Sequence, residues 1–317
     1  MINFLIFGII LLAISLLFDI IYGEPPLFMH PVILLGKIID HLSPLYRKIG
    51  NKKIGGFLFL ISIMLLYSFP VSIVLFILYS LHSYISLIIF IILSVFLLKS
   101  TFSINSMNKH IKKIIKNLEN NDILSAREST SMVVRRNTSE MDSNLLSSAS
   151  VETIAEGFVD GYFTPLFYYS FFGIPGSLAV KAINTMDSMV AYKDRENIDF
   201  GYFTALADTI INYIPSRLTP YIFSISAFFL GYNYKIKKLI NTTDSFNGGY
   251  SMGAIAQILN VRLEKPGEYI INETGRNPDI KDIKKAMKIY YISSFFVFLT
   301  TVSIILIIFT LLEYIKL

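Results

Sequence analysis

Three carboxylates, Glu152, Glu156 and Asp160, recur at intervals of four residues in an otherwise apolar stretch. Helical periodicity puts all three on one face. Like charges at that spacing repel, so the face calls for a cation. Two readings stand: a solvated acidic face, or a magnesium–phosphate site, since Mg2+ usually takes one or two carboxylates together with substrate phosphates. A second polar face follows. Lys181, Asn184, Asp187 and Ser188 fall at successive spacings of 3, 3 and 1, which leaves Ala182, Ile183, Met186, Met189 and Val190 for packing. A cation, an amide and a carboxylate on one stripe suit either a substrate-binding surface or a structural polar network. Just ahead of it, Gly173-Ile174-Pro175-Gly176 reads as a loop that lets backbone approach a ligand. It lacks the Gly-Lys-Ser/Thr end of a Walker A sequence.

Smaller constellations add to these. Asp208 and Asn212 lie one helical turn apart, followed by Arg217. Asp208 either caps a helix, pairs with Arg217 or meets a ligand. His30, ahead of Pro31, has a structural reading and a functional one, as an anion binder or a proton carrier. Asn247 precedes Gly248 and Gly249 in a turn that opens an Ala-rich helix. Its amide groups suit an anion, as at any exposed helix start. The basic helix over Asn105–Asn117 reads as a solvated or lipid-headgroup face. No Ser-His-Asp arrangement, nucleotide fingerprint or HExxH motif appears. The absence of cysteine excludes disulfides, thiolate metal sites, iron–sulfur clusters and a cysteine nucleophile, and four histidines leave little room for zinc.

The elements that must carry these residues are set by composition. The 317 residues are 53% hydrophobic and 16% charged, with mean hydropathy +0.57. Soluble globular chains hold about 25% charged residues. Residues 54–98 and 289–312 contain no Asp, Glu, Lys or Arg, which excludes an ordinary soluble enzyme. The expected fold is an all-α integral membrane protein, one membrane-embedded domain over 1–317. Four full transmembrane helices are expected at 2–21, 55–78, 84–98 and 289–312, because a crossing takes about 20 apolar residues. The stretches 161–180 and 218–234 are less regular, and short or re-entrant segments are expected there. The basic stretches 22–54, 99–218 and 233–288 place helical loops carrying the site on the cytoplasmic face. The net charge of +5 has this topological reading, and no basic stripe with interleaved aromatics calls for nucleic acid.

At these residues the sequence resembles the adenosylcobinamide-phosphate synthases of cobalamin biosynthesis. The first loop, Asp19, Gly23, Glu24, Pro25, His30, Pro31, Val32 and Gly36, is similar to the family's D-x3-GDP-x4-HPV-x3-G opening, with Glu24 for the usual Asp. Glu152, Glu156, Asp160, Gly161, Pro165, Leu166 and Phe167 resemble its E-x3-E-N-x2-D-G-x3-P-L-F run. The GxPG at Gly173–Gly176, the K-A-I-N-T-x-D-S-M-V run over Lys181–Val190, Asp208 with Asn212–Thr219, and Asn247 with Gly249 continue the resemblance over essentially the whole chain. Departures stand at Asn137, Gly157, Ala191, Leu206 and Thr209.

The resemblance implies an acid–amine ligase that joins adenosylcobyric acid to aminopropanol phosphate, or a relative such as ethanolamine phosphate, with ATP and Mg2+. For that reaction we assign Glu152, Glu156, Asp160 and Asp187 to hold metal or the incoming amine, the resemblance supporting their positions more than their roles. Arg136, Lys181, Lys193 and Arg217 would hold phosphates. Asn184, Asn212 and Asn247 would hydrogen-bond corrin amides or phosphate beside Ser188 and Asp208, and His30 would accept a proton from the amine. The expected partners are the two substrates and the lipid bilayer, with other enzymes of the pathway or a second copy of the chain. A membrane prenyl- or alcohol-phosphate transferase is the first alternative. It calls for paired aspartate motifs, and Asn184, Asp187 and Asp194 mimic one without a second copy. A corrinoid transport or assembly subunit is the second, and it would spread acids along several spans.

Overall fold

The computed structural model describes residues 2–191, 198–232, 243 and 245–316. In chain order the helices are α1 (Ile2–Ile21), α2 (Pro31–Arg47), α3 (Lys52–Ser80), α4 (Tyr84–Lys99), α5 (Asn105–Glu119) and α6 (Ile123–Ser131). They continue as α7 (Ser143–Phe158), a π turn over Val159–Phe163, α8 (Thr164–Val190), α9 (Tyr202–Phe229), α10 (Gly248–Leu259) and α11 (Ile280–Lys316). Between α10 and α11 stands a hairpin of β1 (Leu263–Lys265) and β2 (Tyr269–Ile271), antiparallel with Glu264 opposite Ile270. The all-α expectation holds apart from this hairpin. It is too short to show an alternating pattern in sequence, and Gly267 takes the positive φ of its turn.

Three helical runs are long and apolar enough to cross a membrane: Lys52–Ser80, Ser143–Val190 and Ile280–Tyr314. The expected spans at 55–78 and 289–312 fall inside two of them. The other two expected spans are shorter apolar helices, Ile6–Ile21 and Tyr84–Lys99. At 1.5 Å per residue, α4 reaches about 24 Å against a hydrocarbon layer of about 30 Å. The stretch 161–180 belongs to the run Ser143–Val190 rather than forming a separate short segment. Its irregularities are the end of the π turn, through Phe163, and Gly173, whose φ of 63° and ψ of −152° break α8. So Gly173–Gly176 is a break within a helix and not an open loop. Through Phe229 the stretch 218–234 is the second half of the 28-residue α9, which carries Pro215 and Pro220 inside it. Apolar helices tolerate proline where neighbouring groups re-satisfy the backbone.

The chain divides into two compact units. Unit one comprises Met1–Ser103, Thr164–Ile211 and Leu299–Leu317. Here α2, α3 and α8 pack together around the fully buried Leu35, Ile39, Phe59, Ile63 and Leu178. Gly56 admits the carbonyl of Phe200 within 2.0 Å of where a Cβ would stand, a close approach that only glycine permits. The Arg47 guanidinium covers the Phe200 ring at 4.3 Å. Unit two comprises Ile104–Phe163 and Asn212–Phe298. Its core centres on Phe158, whose ring meets Tyr162, Phe163, Phe223 and Tyr290. The buried Tyr162 hydroxyl donates to the Ser294 carbonyl. Asp142 caps α7 by accepting from the Leu145 amide, which fixes where that acidic helix begins.

Candidate functional site

In unit two, α7 presents Ser148, Glu152 and Glu156 on one face, as their spacing of four dictates. Glu152 is buried, and three groups donate to its carboxylate: Ser148 Oγ at 2.7 Å, Arg136 Nη2 at 2.9 Å and Tyr269 Oη at 3.0 Å. The hairpin closes a ring around it. Ser148 Oγ accepts from the Glu264 amide, and Arg136 Nη1 donates to the Glu264 carbonyl. A buried charge survives only when paired and hydrogen-bonded, and here one guanidinium and two hydroxyls meet that need. Burial pushes the Tyr269 phenol pKa up, and the charges of Glu152 and Glu156 push it further. The phenol therefore stays protonated and remains a donor.

Glu156, one turn on, is different. Its side chain is exposed, and it makes no hydrogen bond or ion pair with any described residue. Glu152 is thus the anchored acid and Glu156 the available one. Asp160 follows in the π turn, half-buried.

The remaining unit-two candidates gather near the start of α10. Arg217 on α9 lies among three rings, Tyr213 at 3.5 Å, Tyr250 at 4.5 Å and Phe246 at 5.0 Å. Its Nη1 donates to Asn247 Oδ1 at 3.1 Å and to the Tyr213 carbonyl at 2.8 Å. The sequence placed both residues at ligands, and the structure adds that they hold each other. Asn212 is buried one turn before Ser216, which also donates to Asn247.

In unit one, Lys181, Asn184, Asp187 and Ser188 are all half-buried on α8, while Ala182, Met186 and Val190 are fully buried opposite. Ile183 and Met189, also expected to pack, are half-buried like the polar residues, so the spacing separates the faces only in part. Asp208 lies on α9, half-buried. Lys193 lies outside the described residues. His30 caps α2: its Nδ1 accepts from the Val32 amide at 3.2 Å and its Nε2 lies 3.0 Å from Glu24 Oε2. Since Nδ1 accepts, the neutral ring carries its hydrogen on Nε2 and donates it to Glu24.

Lys99 escapes a reading by motifs, because it looks like the charge that merely ends an apolar helix. It is fully buried, 3.1 Å from the equally buried Asp19 and 2.9 Å from Glu24. Burial alone would raise the Glu24 carboxyl. Hydrogen bonds from His30, Ser103 and Lys99, with the Lys99 charge, more than offset this and hold its pKa at about 2. Tyr269 and Ser148 likewise lie outside every motif, and only the pairing of hairpin and helix brings them to Glu152.

Among the described residues no three His, Asp or Glu side chains stand close enough to cage a metal by themselves. Mg2+ as a rule takes one or two carboxylates and relies on substrate phosphates. Glu156 fits such a ligand, being exposed and without a bonding partner.

A family model described as CobD/Cbib protein matches residues 12–298. Among the similar proteins are several named "Probable cobalamin biosynthesis protein CobD". That of Thermoplasma volcanium is 43% identical over 290 residues, covering 90% of this chain and 94% of the relative. That of Pyrococcus furiosus is 36% identical over 284 residues, 89% and 93%. That of Methanocaldococcus jannaschii is 32% identical over 314 residues, 96% and 98%. No solved structure matches the chain.

Proposed function

The chain belongs to the CobD/Cbib family, and from that premise we propose that it is an enzyme of cobalamin biosynthesis. The reaction is amide-bond formation between adenosylcobyric acid and aminopropanol phosphate or ethanolamine phosphate. The match over residues 12–298 carries this reading, and the relatives' printed names support its pathway.

The chemistry asks for specific groups. A carboxylate is a poor acyl donor until one oxygen carries a phosphoryl group and can leave as phosphate. Its oxygen attacks the γ-phosphoryl of ATP and releases ADP. The amine then attacks the acyl carbon, and inorganic phosphate leaves as the C–N bond forms. Mg2+, when bound, neutralises charge on the phosphates during the first step. Glu156, available beside the anchored Glu152, suits either that ion or the incoming ammonium, whose proton must leave before the nitrogen can attack. Asp160 and Asp187 are the other acids assigned to this role. Phosphates fall to Lys181, Lys193, Arg217 and Arg136, the last already shared with Glu152. Asn184, Ser188, Asp208, Asn212 and Asn247 supply polar contacts to the substrates. His30 accepts the amine proton at Nδ1 if the bond from the Val32 amide opens. We place the enzyme in the cell membrane with its site on the cytoplasmic face, which the basic loops favour.

The test is direct. Purified full-length protein receives adenosylcobyric acid, either amino-alcohol phosphate, ATP and Mg2+. The expected result is the amide product by mass spectrometry with matching release of ADP. Folded protein that yields no amide would overturn the proposal.

A further inference from the structure

Two lysine stripes of the same design lie in unit two. On α5, Lys109, Lys112, Lys113 and Lys116 recur at i, i+3, i+4 and i+7, and all four are exposed. Ile111, Ile114 and Leu118, on the opposite face, are buried against α6 and α7. The first turns of α11 repeat the spacing with Lys281, Lys284, Lys285 and Lys288. Lys281, Lys284 and Lys288 are exposed, while Ile283 and Ala286 opposite them are buried. Lys284 Nζ meets Glu119 Oε1 at 2.5 Å, which ties the C-terminus of α5 to the start of α11. Asp282, the acid within the second stripe, is turned inward and buried against Arg276. It therefore does not neutralise the exposed lysines.

The position of the stripes decides what they face. From Ile289 through Leu312, α11 holds no charged residue and belongs to a run apolar enough to cross a membrane. Lys281–Lys288 therefore stands immediately outside the hydrocarbon, and the tie through Glu119 brings α5 to the same level. A cation within a Debye length of an anionic bilayer surface, about 10 Å at moderate salt, is drawn to it. The apolar face of α5 is already packed against protein, so its lysine face is turned outward. From Lys109 to Lys116 the first stripe runs about 10 Å along the helix axis. Together with the second stripe it presents a spread of cations that matches a plane of headgroups better than one small anion. We propose that α5 and the first two turns of α11 form one binding surface for anionic lipid headgroups.

The full-length chain in neutral detergent is titrated with phosphatidylglycerol or phosphatidylcholine in mixed micelles, with bound lipid counted by native mass spectrometry and the thermal midpoint followed. The expected result is preferential retention of phosphatidylglycerol with a raised midpoint. In the variant K109Q/K112Q/K113Q/K116Q that preference falls at least about tenfold, and salt at about 0.5 M weakens it in the parent chain. Equal retention of the two lipids, an undiminished preference in the variant, or the same midpoint shift with inorganic phosphate alone overturns the proposal. If the quadruple variant is not recovered folded, K281Q/K288Q on the second stripe is read by the same criteria. None of these lysines belongs to the proposed amide-forming site, so amide formation is expected at the parent rate in either variant.

Discussion

Glu152 and Glu156 share a residue type and a helix face, yet their surroundings assign them different work. Glu156→Gln keeps the shape and removes an exposed charge without a bonding partner. Amide formation should fall by at least about 100-fold, with the thermal midpoint in detergent unchanged; a variant of near-parental rate would remove Glu156 from the site. Arg136→Ala acts through stability instead, because it strands the buried Glu152 carboxylate. Removing one partner of such a pair costs about 3 kcal/mol, readable in denaturant unfolding. Glu24 gives a pH dependence. Its folded pKa of about 2 lies below its ordinary value of 4.5. The stability it contributes is therefore present above about pH 4.5 and is lost as pH falls from there through 2. The thermal midpoint should drop across that window, and Glu24→Gln should flatten this part of the drop.

Elements decide how such residues meet. The break in α8 depends on a φ and ψ that side-chain-bearing residues avoid, although a Cβ at Gly173 would find space, its nearest neighbour being Pro175 Cδ at 3.9 Å. Gly173→Ala should therefore destabilise through backbone strain alone, by about 1–3 kcal/mol. An unchanged unfolding midpoint would mean that the helix break relaxes. The small hairpin shows the reverse relation: three residues per strand stabilise little by themselves, yet they deliver Tyr269 and the Glu264 backbone to Glu152. The neighbouring Arg276, bidentate to the buried Asp282 at 2.7 and 2.6 Å, fixes the first turn of α11, and Asp279 accepts from the Lys281 and Asp282 amides there.

For the whole molecule, the expectation is one charged face and an uncharged anchor. The chain contains no cysteine, so single replacements report cleanly. Ser139→Cys and Ser245→Cys, both at exposed positions, should react with a membrane-impermeant thiol reagent in inverted vesicles and not in right-side-out cells. Labelling of Ser245→Cys from outside would put the 233–288 region on the other face and overturn the shared cytoplasmic placement.

Much of this was legible before any fold was known. Long uncharged stretches can lie only in lipid, and a spacing of three or four residues puts side chains on one helix face whatever the tertiary context. So the apolar runs near 55–78 and 289–312, the acidic face of α7, the polar face of α8 and the family resemblance all follow from local rules. The tertiary structure alone separated Glu152 from Glu156, set Arg136, Ser148 and Tyr269 around the first, caged Arg217 in three rings and buried Lys99 between Asp19 and Glu24. These facts depend on partners up to 117 residues apart in sequence. Burial and pairing at such separations are properties of packing, and no local pattern encodes them.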